Sequence, residues 1–180
     1  VIYDAVWEPE FSWAILQMLS RRRPLSGKHG RLSGVPTPRF RSVRERITVD
    51  TPPVPITAEQ SNSSVAFGDQ AIVKFIRRFE EGVNPGVELG RFLSEQAHFA
   101  NAPATAGSIE YRSDGLGSEP VTVAALEEFV PNEGSGFNYV VDALGHGLEE
   151  ALANPGSEDL PLIAPPRLLD VGATTLEPGN

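Results

Sequence analysis

The apolar positions of the chain begin with a helical spacing. Phe11, Ile15 and Leu19 recur every four residues, which predicts a helix over Glu8 to Arg22 with these side chains on one face. Pro9 suits the first turn of this helix, because an N–H group at that position has no partner within the helix. The chain is therefore expected to begin with an amphipathic helix.

From Gly27 to Asp50, glycines and prolines interrupt the apolar positions. This pattern predicts short strands rather than a second helix. The apolar residues expected to line a modest core are Leu32, Val35, Val43, Ile47 and Val49. Three prolines between residues 52 and 55 then favour an extended connector, and we place a domain boundary there.

The next apolar positions alternate in the way that strands require. Strands are predicted over residues 54–56, 65–67 and 71–76, with the first two paired. Alternation places Ile72, Lys74 and Ile76 on one face of the third strand. A lysine between two isoleucines is costly to bury unless it meets an anion, although its stem can pack while its ammonium group reaches outward. Lys74 is therefore a candidate functional residue.

Downstream of these strands, the sequence predicts a helix, two more strands and a final helix. Asn84 and Pro85 supply an N-cap followed by proline at the first helical position, so a helix that carries Glu88 is expected to begin here. Two further strands and a helix with an apolar stripe are predicted over residues 108–112, 120–130 and 137–153. From Asn154 the pattern ends, and we expect a loosely ordered segment.

Together these elements predict an α+β fold. Residues 1–50 are expected to form a small N-terminal module of one helix and short strands. Residues 51–131 are expected to form an antiparallel sheet of about five strands with one crossing helix. Residues 132–180 are expected to hold the loop and helix that follow the sheet.

Composition narrows the range of functions. The 180 residues contain no cysteine and only three histidines, so disulfides are excluded and no metal site is expected. No apolar run approaches the roughly 18 residues of a membrane span. The first residues lack the basic and apolar parts of a signal peptide. We therefore expect a cytoplasmic protein without a membrane partner.

Charge is divided unevenly along the chain. Residues 1–50 carry nine Arg or Lys and five Asp or Glu, a net charge of +4, whereas the remaining residues carry six and nineteen, a net charge of −13. A basic segment of this kind suits either nucleic acid or an acidic partner surface. Because no aromatic residues are interleaved with its arginines to stack on bases, we expect no nucleic-acid partner.

Phosphate binding is the chemistry that residues 59–93 suggest. A phosphate needs several N–H donors and a cation that is held in place. Lys74 supplies the cation and Glu88 an anion for it, in the order typical of a kinase small lobe. The loop that would supply the donors contains Gln60, Ser61, Asn62, Ser63 and Ser64. The alternative is structural, since such a loop is often only a turn and a strand lysine is often a solvated edge residue.

The stretch EQSNSSVAFGDQAIVKFIRRFEEGVNPGVELGRFL resembles the bacterial maltokinases, including those fused to trehalose synthase, within the aminoglycoside-phosphotransferase-like kinases. Further matches are PVTVAALEEFV at 120–130, PNEG at 131–134 and FNYVVDAL at 137–144. The basic segment RRRPLSGKHGRL is similar to the N-terminal cap of this family. The resemblance extends to about Glu150. It implies a cap over 1–50, a kinase-like small lobe over 51–131, and the start of a second lobe over 132–180.

The resemblance implies a role for each matching residue. Residues 60–64 would cover the phosphates of ATP, Lys74 would contact them, and Glu88 would orient Lys74. The hinge residues whose backbone would meet the adenine are Glu128, Phe129 and Val130, with Glu127 as the alternative neighbour. These kinases use ATP and Mg²⁺ to phosphorylate the anomeric hydroxyl of maltose, and the maltose 1-phosphate feeds α-glucan (glycogen) biosynthesis.

No catalytic residue is found in this sequence. The family's His-x-Asp-type loop, metal ligands and sugar site lie in a second, helical lobe, whereas the three histidines here are followed two positions later by Arg31, Ala100 and Leu148. We therefore expect a portion of a sugar kinase that contributes contacts to ATP, with weak affinity at best, and that does not transfer phosphate alone. The alternatives are a kinase for another sugar such as glucosamine, a pseudokinase-like interaction module, or a surface that docks a trehalose synthase or other α-glucan enzyme.

Overall fold

The protein is described from a computed structural model of the 180-residue chain. The structure describes residues 4–21, 23–57, 62–115, 117–132 and 134–153. The chain divides into two compact units, Val1–Pro131 and Asn132–Asn180. None of the helices in the described ranges is long and apolar enough to cross a membrane.

The described part of the first unit contains three α-helices and seven strands. The helices are α1 (Pro9–Arg21), α2 (Phe40–Arg46) and α3 (Pro85–Arg91). The strands are β1 (Leu25–Ser26), β2 (Gly30–Pro36), β3 (Pro53–Ile56), β4 (Ser63–Phe67), β5 (Ala71–Phe75), β6 (Thr105–Ser113) and β7 (Val121–Glu128). A 3₁₀ turn (Ala5–Trp7) precedes α1, and a π-helical turn (Phe92–Gln96) continues α3.

The seven strands form one antiparallel sheet in the order β1-β2-β6-β7-β5-β4-β3. The α+β class is confirmed, but the expected number of about five strands is wrong. The two additional strands, β1 and β2, come from the first 50 residues, and β2 pairs along β6 from Gly30↔Ser113 to Pro36↔Gly107. Residues on both sides of the proline-rich connector therefore belong to one sheet.

One helix replaces a predicted strand. Residues Phe40–Arg46 form α2. Just before this helix, the Thr37 hydroxyl donates a hydrogen bond to the Thr105 carbonyl at 2.8 Å. The four-residue interval between Val43 and Ile47 suits a helix as well as it suits interrupted strands, and both side chains are buried. Val49, which was expected in the core, is 89% exposed because it follows the end of the helix.

The core lies on one face of the sheet, called here the α1 face. Leu16 and Leu19 of α1 pack with Phe67, Val73 and Leu126 from the strands, and α2 contributes to the same buried cluster. Glycine permits this packing at β2, where a Cβ atom on Gly34 would lie 2.6 Å from the Met18 carbonyl oxygen. The helix backbone therefore lies directly against the sheet.

The opposite face, called here the Lys74 face, holds Ile72 and Lys74, as the alternation of β5 predicted. Helix α3 approaches this face at Gly90, which lies against the hydroxyl of Thr105 on β6. The predicted start of α3 is confirmed, since the Asn84 side chain accepts a hydrogen bond from the Gly86 N–H at 2.9 Å.

The described part of the second unit contains one helix, α4 (Gly136–Ala153), which matches the predicted helix. Its apolar stripe is exposed to solvent. The exposed residues of this stripe include Phe137, Tyr139, Val140, Leu144 and Leu148. The segment from Asn154, which was expected to be loosely ordered, lies outside the described residues.

We predict that Gly90→Ala lowers the free energy of unfolding by about 1–3 kcal/mol, although alanine favours a helix over glycine. The added methyl group would overlap the buried Thr105 hydroxyl, so α3 or β6 must shift. Urea unfolding followed by circular dichroism measures the change.

The matched control for Gly90→Ala is the same substitution in a Thr105→Ala background. The Thr105 Cβ lies 3.7 Å from the position of the added methyl group, which is an ordinary contact. Gly90→Ala should then be neutral or stabilising. An equal destabilisation in both backgrounds would contradict the proposed overlap.

Candidate functional site

The central feature of the Lys74 face is an ion pair between two strands. Lys74 on β5 donates from Nζ to Glu127 Oε2 on β7 at 2.7 Å. Lys74 lies opposite Ala125 in the register of the two strands, so Glu127 is its diagonal neighbour on the same face. The Lys74 and Glu127 side chains are 39% and 16% exposed, which leaves the ammonium group partly open to solvent.

Small residues on the neighbouring strands leave room for the Lys74 side chain. Ser64 of β4 and Ala125 of β7 are its two cross-strand partners. Their short side chains allow the lysine stem to lie along the sheet while its ammonium group reaches Glu127. The sequence predicted that Lys74 would need an anion, and the structure supplies one from a strand.

Glu88 does not supply that anion in the structure. It lies in the first turn of α3, where a negative charge suits the helix N-terminus, and lines a cleft of about 320 Å³ beside Phe92 and Gln96. The ion pair of Lys74 within the described ranges is with Glu127, so the expected Lys74–Glu88 pair is replaced. The spacing of the sequence predicted a glutamate on the next helix, but it could not predict which way that helix would turn its Glu88 side chain.

The predicted phosphate loop is only partly described. Gln60 and Ser61 lie outside the described residues, and Ser63 and Ser64 belong to β4 rather than to a loop. Asn62 precedes β4. Residues 62–64 line a cleft of about 360 Å³, whose other lining residues include Trp7, Thr57 and Arg77. Arg77 thus lines the same cleft as residues 62–64, and no sequence signal pointed to it.

Two adjacent glutamates at the end of β7 point to opposite faces. Glu127 joins Lys74, whereas Glu128 accepts from Arg46 Nη2 of α2 at 2.7 Å. Alternation along the strand explains the difference, because successive side chains leave opposite faces. Arg46 was missed because its segment was predicted as strand, and no sequence signal connects it to a residue 82 positions away.

Backbone hydrogen bonds hold the residues predicted as a hinge. The Glu128 N–H donates to the Ala104 carbonyl at 2.9 Å, and the Phe129 N–H donates to the Gln70 carbonyl at 3.2 Å. Val130 follows and its side chain is half exposed. The end of β7 is therefore fixed by the turn between β4 and β5 and by the residue before β6.

Comparison of the chain with models of known protein families finds no match. Within the described ranges, no group of three or more His, Asp or Glu side chains is arranged to hold a metal ion. The structure brings Lys74, Glu127 and Ser64 together, whereas Asn62 and Glu88 line two other clefts that do not include Lys74.

We predict that a double-mutant cycle with Lys74→Met and Glu127→Gln gives a coupling free energy of about 0.5–1 kcal/mol in urea unfolding. The value stays small because Lys74 is partly solvated. The surface pair Arg41–Glu45, on α2, is the matched control and should give a smaller coupling. Equal coupling in the two pairs would contradict a special role for the sheet in holding Lys74.

Proposed function

We propose that this chain provides the ATP-binding small lobe of a sugar kinase similar to the maltokinases. The observation that carries the proposal is the Lys74–Glu127 pair, a cation held by a carboxylate on the face opposite the core. In this proposal β3, β4, β5, β6 and β7 with α3 form the small lobe. The preceding α1, β1, β2 and α2 form the cap.

The proposed phosphate contact is the Lys74 ammonium group. A cation restrained by a hydrogen-bonded carboxylate loses less freedom when it binds an anion than a free surface lysine does. Glu127 takes the restraining role that the family resemblance gave to Glu88. Ser64, the cross-strand partner of Lys74, would supply a neutral donor beside it. Asn62 and Ser63 would supply further donors from the cleft that they line with Ser64, whose lining does not include Lys74.

The proposed adenine contact is the backbone that follows β7. The N–H groups of Glu128 and Phe129 are already used within the protein. The resemblance to the maltokinases supports assigning the backbone of Phe129 and Val130 to the adenine. The Glu128 side chain does not take part, because it pairs with Arg46 on the α1 face.

The proposed reaction transfers the γ-phosphate of ATP to the anomeric hydroxyl of maltose and yields maltose 1-phosphate and ADP. This sequence contains no His-x-Asp motif, so the role proposed for the chain is nucleotide binding. Mg²⁺ enters the proposal as the ion that accompanies the ATP phosphates. Maltose follows from the resemblance, and glucosamine is the alternative sugar. A cytoplasmic location and docking to an α-glucan enzyme complete the proposal.

Calorimetric titration with Mg-ATP tests the proposal. We expect the wild-type chain to bind and Lys74→Ala to weaken binding by about tenfold or more, the size expected for a lost charge-assisted hydrogen bond. The sequence offers a matched control because its only other lysine is Lys28, on the turn between β1 and β2. Lys28→Ala should bind as the wild type does.

Equal loss of affinity in Lys28→Ala and Lys74→Ala would show nonspecific charge attraction and contradict the proposed site. Absence of Mg-ATP binding by the folded wild-type chain would contradict the proposed function. The interaction-module alternative would then be tested by pull-down at low and high salt, because contacts of the basic segment weaken with screening.

Lysine acylation gives an independent test. Mg-ATP should protect Lys74 from an amine-reactive reagent and leave the labelling of Lys28 unchanged, because only the Lys74 ammonium is assigned to the phosphates. Mass spectrometry of the two lysine-containing peptides reads the result. Protection of neither lysine at saturating Mg-ATP would place the nucleotide elsewhere.

A further inference from the structure

The short helix α2 is held firmly against the sheet. Val43 and Ile47 are buried in the core cluster, and the Thr37 N–H donates to the Ala106 carbonyl at 2.9 Å. The Thr37 hydroxyl also bonds to the Thr105 carbonyl. Because both ends of the helical segment contact buried groups, Arg46 at the end of α2 starts from a fixed position.

Arg46 reaches from that position to the end of β7. Its Nη2 atom donates to Glu128 Oε1 at 2.7 Å, and the two side chains are 44% and 26% exposed. Glu128 is the last residue of β7. The pair therefore connects the N-terminal module to the point where the chain leaves the sheet.

Three contacts from three parts of the chain meet at this point. The Glu128 side chain is held by α2, its N–H by Ala104, and the next N–H, that of Phe129, by Gln70. The two backbone bonds fix the direction of the strand. The arginine contact adds a side-chain restraint on the α1 face, opposite to the face that carries Lys74.

We propose that Arg46 is a positioning residue for adenine, acting through Glu128 on the backbone of Phe129 and Val130. This assignment rests on the proposed function. Arg46 itself lies on the α1 face and touches neither the nucleotide nor Lys74. Its loss should therefore weaken recognition of the base and leave recognition of the phosphates unchanged.

Two probes separate these effects: Mg-ATP, which carries the adenine, and Mg-tripolyphosphate, which does not. Calorimetry with the full chain should show Arg46→Gln binding Mg-ATP about two- to fivefold more weakly, the range expected for a half-exposed ion pair. Its affinity for Mg-tripolyphosphate should equal that of the wild type. Arg46→Lys, which keeps the charge, should recover part of the Mg-ATP affinity.

Arg41→Gln is the matched control, because Arg41 lies on the same helix and pairs with the exposed Glu45. It should bind both probes as the wild type does. Exchange of the charges in Arg46→Glu with Glu128→Arg should restore Mg-ATP binding relative to Arg46→Glu alone. Circular dichroism establishes that each variant is folded, and Glu128→Gln provides a second way to break the pair.

Unchanged Mg-ATP affinity in folded Arg46→Gln and Glu128→Gln would overturn this assignment alone. An equal loss for Mg-ATP and Mg-tripolyphosphate would also overturn it, because a general loss of structure or charge would explain that result. A wild-type chain that binds neither probe would overturn the proposed function and this assignment together. Lys74→Ala, which should weaken both probes, distinguishes the two failures.

Discussion

The packing of α1 and α2 against a single face of the sheet constrains everything else in this structure. Leu16, Leu19 and Val43 are buried against that face and form part of the hydrophobic core of the first unit, which removes their apolar surface from water. The opposite face is then free to carry a lysine and a glutamate at its centre. A charged pair in the buried part of the packed face would lose solvation that one ion pair does not replace. The Arg46–Glu128 pair on that face is partly exposed, with side chains 44% and 26% accessible.

The alternation of side chains along β7 places two charged residues on opposite faces of the sheet at the end of this strand. Glu127 and Glu128 are neighbours in sequence, yet one belongs to the Lys74 face and the other to the α1 face. A shift of one residue in the register of β7 would exchange them and separate both ion pairs. The two contacts therefore depend on the same register, which the buried Leu126 and Ala124 hold in place.

Local patterns predicted much of the fold. Alternation fixed the faces of β5, and the Asn84-Pro85 pair located the start of α3, because both signals depend only on nearby residues. The membership of β1 and β2 in the main sheet was missed, since pairing with β6 joins residues about 80 positions apart. For the same reason the sequence identified Lys74 but not its partner. A strand neighbour and a helix neighbour are equally compatible with the spacing, and only tertiary packing distinguishes them.

The pairing of β2 with β6 also determines how the chain could be divided. β6 is a nine-residue strand with partners on both sides, β2 from the first 50 residues and β7 from the rest. Without the N-terminal module, the hydrogen-bonding groups along one side of β6 would be exposed as a long edge, which favours pairing between molecules. The proline-rich connector, whose Pro53 and Pro55 belong to β3, thus lies within one compact unit and is a poor place to cut. We expect a chain that lacks the N-terminal residues to aggregate more readily.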